Sequence, residues 1–462
     1  MEHTRVTRIQ VVKLFDEINY DIHLDETEPV GIIIAPNGCG KTTILKLLAF
    51  VLKPTYERYL EIRDIPFSRF VCYLSNGKRI VLKSYPTTVA RFDNDEDENE
   101  YIYNHGHPRS RSAIANTVND FEYSILPSTK SGNHGLRFSE ILDSEKEYRV
   151  PLEYSSESES LTLRERSGRI AGMAPIVATT KFEETLKSYL VENTCNKPVV
   201  FISTSRLQAE RQFTRNELAH LGTDTMADPL FRAAKRIASI VRRARENYNM
   251  EVSKAKDRLP CLFLQNDSVF LPLGVFLKRW RAYTDELEKF QKIGLIEHCE
   301  EFINEGEIPN VYEAKKEFLN TYLFAFQYTV KPLNEVYEKL SLFKKIFDER
   351  NSITHKTVNY GPDGIELYSR DKKLDLSYLS SGEKHDFIMF FNLIFIADKD
   401  SMILVDEPEI SLHIEWQESY LDHLIEICKM NQMQAIVATH SPNIVSTHYD
   451  SLLDMGEHNA DS

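Results

Sequence analysis

The sequence predicts an α/β fold in which two lobes, far apart along the chain, flank a helical insertion. Three observations carry this. The short apolar runs "VGIIIAP", "SMILVDEPE" and "QAIVATHSP" have the length and composition of buried parallel strands. The first passes directly into a glycine-containing loop and an apolar helix. Between it and the other two, roughly residues 228–351 switch to a helical period.

Taken in order, residues 5–35 read as strands, with alternation in "RVTRIQVVKLF" and "YDIHLD". "GKTTILKLLAFVLKP" reads as a helix stopped by Pro54. "RFVCYLSNGKRIVLKSY" is a hairpin with Asn76-Gly77 at its turn. Residues 1–85 therefore form the N-terminal lobe. Residues 86–180 carry "DNDEDENE" (Asp93–Glu100), "SSESES" (Ser155–Ser160) and few periodic apolar positions, and read as an irregular, partly mobile insertion. The acidic run is a solvated loop or, alternatively, a contact for a cation or basic partner. His105 and His107 have no further ligands nearby, so a chance pair is the plainer reading.

Residues 181–226 return to the head through "KPVVFISTSRLQ", and residues 227–351 form the helical insertion. In "FRAAKRIASIVRRARENY", Phe231, Ala234, Ile237, Val241, Ala244 and Tyr248 fall on one face. Arg232, Lys235, Arg236, Arg242, Arg243 and Arg245 lie around the rest. Further helices are expected at roughly 268–304 and 311–350, without heptads for a long coiled coil. Residues 352–462 make the C-terminal lobe, opening with strands over "HKTVNYGPDGIELYSRDKKLDLSYL". In "LSSGEKHDFIMFF", Ser380 and Glu383 fit a capping box, and Phe387 to Ile396 make a helix apolar on nearly every side. A buried helix with a polar N-terminus open to solvent is a ready anion site.

The bulk numbers exclude some classes. Hydrophobic residues make up 42% and charged residues 27%, as in ordinary globular chains. No apolar run of about 18 residues is present, so no membrane span is expected. "MEHTRVTRIQVVKLF" has no apolar secretory region. The 6 cysteines are scattered without a CxxC pair, which argues for a reducing cytoplasm. A net charge of −14 excludes an indiscriminate nucleic-acid coat, so any such contact needs a local basic patch or a partner.

Three motifs carry chemistry. "APNGCGKTT" sits between a strand and a helix, as a phosphate loop requires. Its Asn37, Gly38, Cys39, Gly40, Lys41, Thr42 and Thr43 are the candidate nucleotide-binding stretch. Glycine lets the backbone approach phosphate oxygens, Lys41 would reach the β- and γ-phosphates, and Thr42 would place its hydroxyl on Mg2+. Ala35 stands where a first glycine is usual. "MILVDEPE" ends a strand in Asp406, a second candidate for Mg2+, and in Glu407, a candidate general base for an attacking water. "IVATHSP" places His440 at the end of the next strand, where it would contact a γ-phosphate. Cys39, at a helix start beside Lys41, is either a small residue that fits or a thiol open to oxidation.

The order of phosphate loop, "LSSGE", acidic strand and histidine resembles ABC-type ATPases. The resemblance implies a P-loop head that binds ATP and Mg2+ and pairs head-to-tail. Ser380 and Gly382 of one chain, with Ser381 replacing a glycine, would close on the γ-phosphate held by the other. Lys41 and Ser380 lie too far apart in sequence for a transporter subunit, and "DEPEISLH" has His413 where transporters usually carry aspartate. "LSSGEK", "DEPEISLH" and "THSP" together resemble the overcoming-lysogenisation-defect (OLD) group and the ATPase subunit of Septu-type anti-phage systems, some of them retron-associated. The resemblance covers roughly residues 1–85 and 352–450 and says little about the rest.

The chain reaches Ser462 soon after His440, so a Toprim nuclease domain is not expected within it. The resemblance then implies a separate HNH-type nuclease subunit, and a retron reverse transcriptase with its RNA–DNA as a further partner. A homodimer or higher oligomer is implied as well. A DNA-repair or chromosome-maintenance ATPase of the RecF or SMC kind, and a nucleotide-binding scaffold with little turnover, stay open as alternatives. The helix around Arg232–Arg245 is the nucleic-acid candidate, with a solvated amphipathic face as its plain reading. Gln208 and Gln212 are weak candidates for a nucleotide-sensing glutamine.

Overall fold

A computed structural model describes residues 4–25, 27–91, 114–126, 136–138, 174–193, 195–202, 228–264, 270–296, 305–361, 364–410, 412 and 414–455. The chain divides into two compact units, one of residues 1–213 and 398–462, the other of residues 214–397. Among the described residues no helix is long and apolar enough to cross a membrane.

The first unit opens with strands β1 (Val6–Leu14), β2 (Ile18–His23) and β3 (Val30–Ile34) and helices α1 (Lys41–Leu52) and α2 (Tyr56–Ile62). Strands β4 (Arg69–Leu74), β5 (Arg79–Arg91), β6 (Ile114–Leu126) and β7 (Leu136–Arg137) follow, then helix α3 (Ala174–Glu192) and strand β8 (Val199–Ile202). An antiparallel sheet runs in the order β2-β1-β4-β5-β6-β7. The hairpin at Asn76-Gly77 is present, with Gly77 at φ 77°. Strands β5 and β6 extend this sheet into the stretch expected to be irregular. They pair from Arg79 with Leu126 to Arg91 with Ile114. Threonine, valine and tyrosine in both runs suit a pleated surface. The acidic run, the serine run, His105 and His107 lie outside the described residues.

Helix α1 is apolar on nearly all sides, and its residues Ile44, Leu45 and Leu47 to Leu52 are buried. Such a helix needs a layer on each side. It finds them in one core shared by Ile9 and Val11 of the antiparallel sheet, Phe70, Ile80 and Phe121, and the inward residues of the parallel strands described next. Its last carbonyls are satisfied from outside: Arg58 donates to Ala49 O and Lys53 O, each at 3.0 Å, and Tyr123 donates to Val51 O at 2.6 Å.

The second unit contains helices α4 (Pro229–Leu264), α5 (Leu273–Lys292), α6 (Ile308–Phe326) and α7 (Lys331–Arg350). Strands β9 (Lys356–Gly361), β10 (Gly364–Ser369) and β11 (Lys372–Leu374) form a small antiparallel sheet, and helix α8 (Ser381–Phe391) follows. The single helix expected over 311–350 is two, broken before Pro332, which sits at the N-terminal turn of α7. Helix α8 continues as a π-helical turn, Asn392–Ile396. Phe387 packs edge-on to Phe343 at 5.0 Å and to Phe347 at 6.0 Å, which buries the apolar side of α8 against α7.

The chain then returns to the first unit through strand β12 (Met402–Asp406), helices α9 (Ile414–Glu418) and α10 (Tyr420–Asn431), strand β13 (Gln434–Thr439) and the short helix α11 (Pro442–Val445). The four apolar strands form a parallel sheet in the order β3-β13-β12-β8. Every residue of β12 and β13 is buried. That burial explains why these strands read as continuous apolar runs rather than alternating ones.

Candidate functional site

Strands β3, β13 and β12 are parallel neighbours, so their C-terminal ends lie along one edge of the sheet. Ligands bind at such edges in open α/β sheets. The loop after β3 turns through Gly38 and Gly40, at φ 86° and 78°. Gly40 is the N-cap of α1; its left-handed φ strains any other residue, and a Cβ there would stand 2.8 Å from Leu14 Cδ2, which would have to shift. Tyr20 fixes the loop from the antiparallel sheet by donating its hydroxyl to Cys39 O at 2.8 Å.

Lys41, the first residue of α1, is 4% exposed. Its ammonium donates to Ala35 O at 2.8 Å and Pro36 O at 3.1 Å, and lies 2.7 Å from His440 Nε2. Thr42 donates its hydroxyl to Asp406 Oδ1 at 3.0 Å. Glu407 leaves β12 at φ 48°, a left-handed conformation closed by its N–H donating to Ala438 O at 2.8 Å. This turn brings Glu407 Oε1 to 3.2 Å from His440 Nε2. One ring nitrogen carries either a proton or a lone pair. It therefore accepts from Lys41 or donates to Glu407, but not both at once.

Three further residues brace this edge. Glu409 Oε1 accepts the N–H of His440 at 2.7 Å. Ser441 donates to Gln417 Oε1 at 2.8 Å, and Gln417 Nε2 reaches the carbonyls of Glu409 and Leu412, each at 3.4 Å. Sequence reading missed Tyr20, Glu409 and Gln417. Glu409 lies inside "DEPE", but nothing local marks it as the partner of a backbone amide on the next strand.

The electrostatics fit a bound anion and cation. Burial lowers the Lys41 ammonium from its ordinary value, against the raising pull of Glu407. Burial raises the Asp406 carboxyl, against the Thr42 hydroxyl, while the nearby Glu407 charge raises it further. An ammonium and a carboxylate both biased towards neutrality gain most from an opposite charge beside them. Phosphate oxygens at Lys41 and a divalent cation at Thr42 and Asp406 would supply those charges. Among the described residues no group of three or more His, Cys, Asp or Glu could hold a metal.

The first unit thus holds Asn37, Gly38, Cys39, Gly40, Lys41, Thr42, Thr43, Asp406, Glu407 and His440. Ser380, Ser381 and Gly382 belong to the second unit, at the start of α8. Ser380 and Ser381 are exposed there and Gly382 is partly buried. The capping box is complete: Ser380 N–H donates to Glu383 Oε2 at 2.6 Å and Glu383 N–H to Ser380 Oγ at 3.3 Å.

The buried face of α4 keeps Ile237, Val241 and Ala244 of the expected set but shifts at its start. Leu230, Ala233, Ile237, Val241 and Ala244 are buried, while Phe231 is 39% exposed. Arg245 leaves the basic face altogether, donating to Leu295 O at 2.9 Å, Gly361 O at 3.3 Å and Gly294 O. Lys235, Arg236, Arg242 and Arg243 are exposed. Gln208, Gln212 and His413 lie outside the described residues.

The profile described as "AAA ATPase domain" matches residues 13–445 of the sequence. No curated protein matches. Among solved structures, the SmcHead bound to the C-winged helix domain of ScpA is similar over 98% of both chains, at 10% identity and a TM-score of 0.34.

Proposed function

The chain belongs to the AAA ATPase domain family, and from that premise, with its P-loop α/β fold, we propose that it binds ATP with Mg2+, hydrolyses it and pairs head-to-tail with a second copy. The observation that carries the reading is the meeting of Lys41, Thr42, Asp406, Glu407 and His440 at one edge of the parallel sheet.

Lys41 holds phosphate oxygens through its ammonium, and Thr42 and Asp406 offer two oxygens to the cation. A Mg2+ held by these two residues would neutralise charge on the phosphate oxygens. Glu407 accepts the proton of the attacking water at its carboxylate, and His440, fixed through its backbone by Glu409, faces the same point. Ser380 and Gly382 of the partner copy close the site from the opposite side.

On the motif order, the dimer restrains a separate HNH-type nuclease subunit in anti-phage defence. A retron reverse transcriptase with its RNA–DNA, and a higher oligomer, belong to the same reading. The exposed basic face of α4 favours a second element, contact with nucleic-acid phosphates, which a DNA-repair ATPase would share.

The test is phosphate release by the purified protein. Glu407→Gln should lower release by roughly 100-fold or more while ATP binding persists. In the same variant, ATP should drive a dimer visible by light scattering, and Ser380→Arg should prevent it. An Glu407→Gln protein that releases phosphate at the parent rate refutes the assignment of the base.

A further inference from the structure

We propose that Lys356 is a positioning residue for the Ser380–Gly382 loop, holding it in the form that meets the partner copy's phosphate. The proposal deepens the dimer reading above and rests on it.

A capping box needs only its serine and its glutamate to start a helix. Glu383 does more than that requires. It is 3% exposed, and its carboxylate accepts Lys356 Nζ at 2.8 and 3.1 Å, the Thr354 hydroxyl at 3.2 Å and the Ser380 N–H at 2.6 Å. Lys356, the first residue of β9, also donates to Tyr378 O at 3.1 Å. One ammonium therefore grips the chain on both sides of Ser380, at a carbonyl before it and a carboxylate after it.

The consequence falls on the Ser380 hydroxyl. Its oxygen accepts the Glu383 N–H at 3.3 Å, and a hydroxyl has one proton to give. With the oxygen engaged inward, the proton is left for an acceptor outside, on an exposed residue at a helix N-terminus. That is the arrangement an incoming phosphate oxygen needs.

A second buried pair fixes α8 nearly one turn on. Arg350 Nε donates to Asp386 Oδ2 at 3.0 Å, and the guanidinium lies 5.0 Å over the Phe390 ring. The anchors flank the short link between α7 and β9: Arg350 ends the helix and Lys356 begins the strand. Burying two ion pairs is a poor way to gain stability, because desolvation offsets most of the attraction. What such pairs supply is a fixed geometry, and here it is fixed at the loop that would face a second chain.

The experiment uses the full chain carrying Glu407→Gln as parent. Lys356→Met with Glu383→Gln leaves no unpaired buried charge, and glutamine still completes the capping box, so the fold is kept. The expected results are a thermal midpoint close to the parent's and an ATP affinity within about twofold of it. ATP-driven dimerisation should weaken at least tenfold. Hydrogen exchange of the amides from Tyr378 to Lys384 should quicken at least tenfold in the absence of ATP. A double variant that dimerises and exchanges like its parent overturns the proposal and leaves the dimer reading standing. A parent that stays monomeric with ATP overturns both.

Discussion

At Glu407 the chain accepts a φ of 48°, which costs a residue with a side chain roughly 1–2 kcal/mol. The hydrogen bond to Ala438 O holds the turn, and the turn delivers the carboxylate to His440. Glu407→Gly relieves the strain and removes the proposed base. Its thermal midpoint should equal or exceed the parent's while phosphate release is lost, which calorimetry and a release assay would check together. Glu383 gives a pH prediction. Burial pushes its carboxyl up, but the hydrogen bonds from Lys356 and the Ser380 amide outweigh that and hold it below the ordinary glutamate value. A depressed carboxyl contributes stability that is complete above its unfolded value and is lost as pH falls through the folded one. Urea midpoints should therefore drop on acidification through the carboxylate range, and by less in Glu383→Gln. The same residues mark where sequence reading reaches and where it stops. Lys41, Thr42, Asp406 and His440 were legible because each sits at a fixed offset from a strand end. Lys356 was not, because its partner is made by the fold and nothing near it in the chain announces one.

Helix α4 and strand β10 pack almost backbone to backbone. Gly364 sits at φ 107°, and a Cβ there would stand 2.5 Å from Ala238 Cβ. Gly364→Ala should destabilise the second unit by roughly 2–4 kcal/mol, from a disfavoured conformation and an overlap together, read as a lower urea midpoint with nucleotide affinity at the phosphate loop preserved. Strand runs that are buried on both faces were legible from composition alone. The shift at the start of α4's buried face was not. Leu230 and Phe231 are adjacent apolar residues, and their own periodicity allows either to face inward; in the folded unit, where α4 packs against β10, α6 and α7, it is Leu230 that is buried. The break before α7 was legible from Pro332 in principle, since proline favours a first turn and ends whatever precedes it. Strand β6 lies beyond a long acidic stretch that masks its pairing with β5.

A chain of net charge −14 repels polyanions at long range, so any nucleic-acid contact must be local. Among the described residues, Arg236, Arg242 and Arg243 form no ion pair, and no Asp or Glu occurs between Pro229 and Arg245. If this face meets phosphates, reversing Arg242 and Arg243 to glutamate should weaken binding to duplexes of any sequence alike. The slope of log affinity against log salt should fall by about 2. Equal affinity and slope at low salt would remove the face from the account.

The parallel sheet carries a consequence for biosynthesis. Strand β3 and its phosphate loop are translated early, yet the neighbour that covers β3 is β13, translated after both β8 and β12. While the ribosome is still working through the helical insertion, β3 is an apolar ribbon with nothing beside it. A nascent chain of this design waits with its nucleotide loop half built, and molecular chaperones are the natural guardians of that interval.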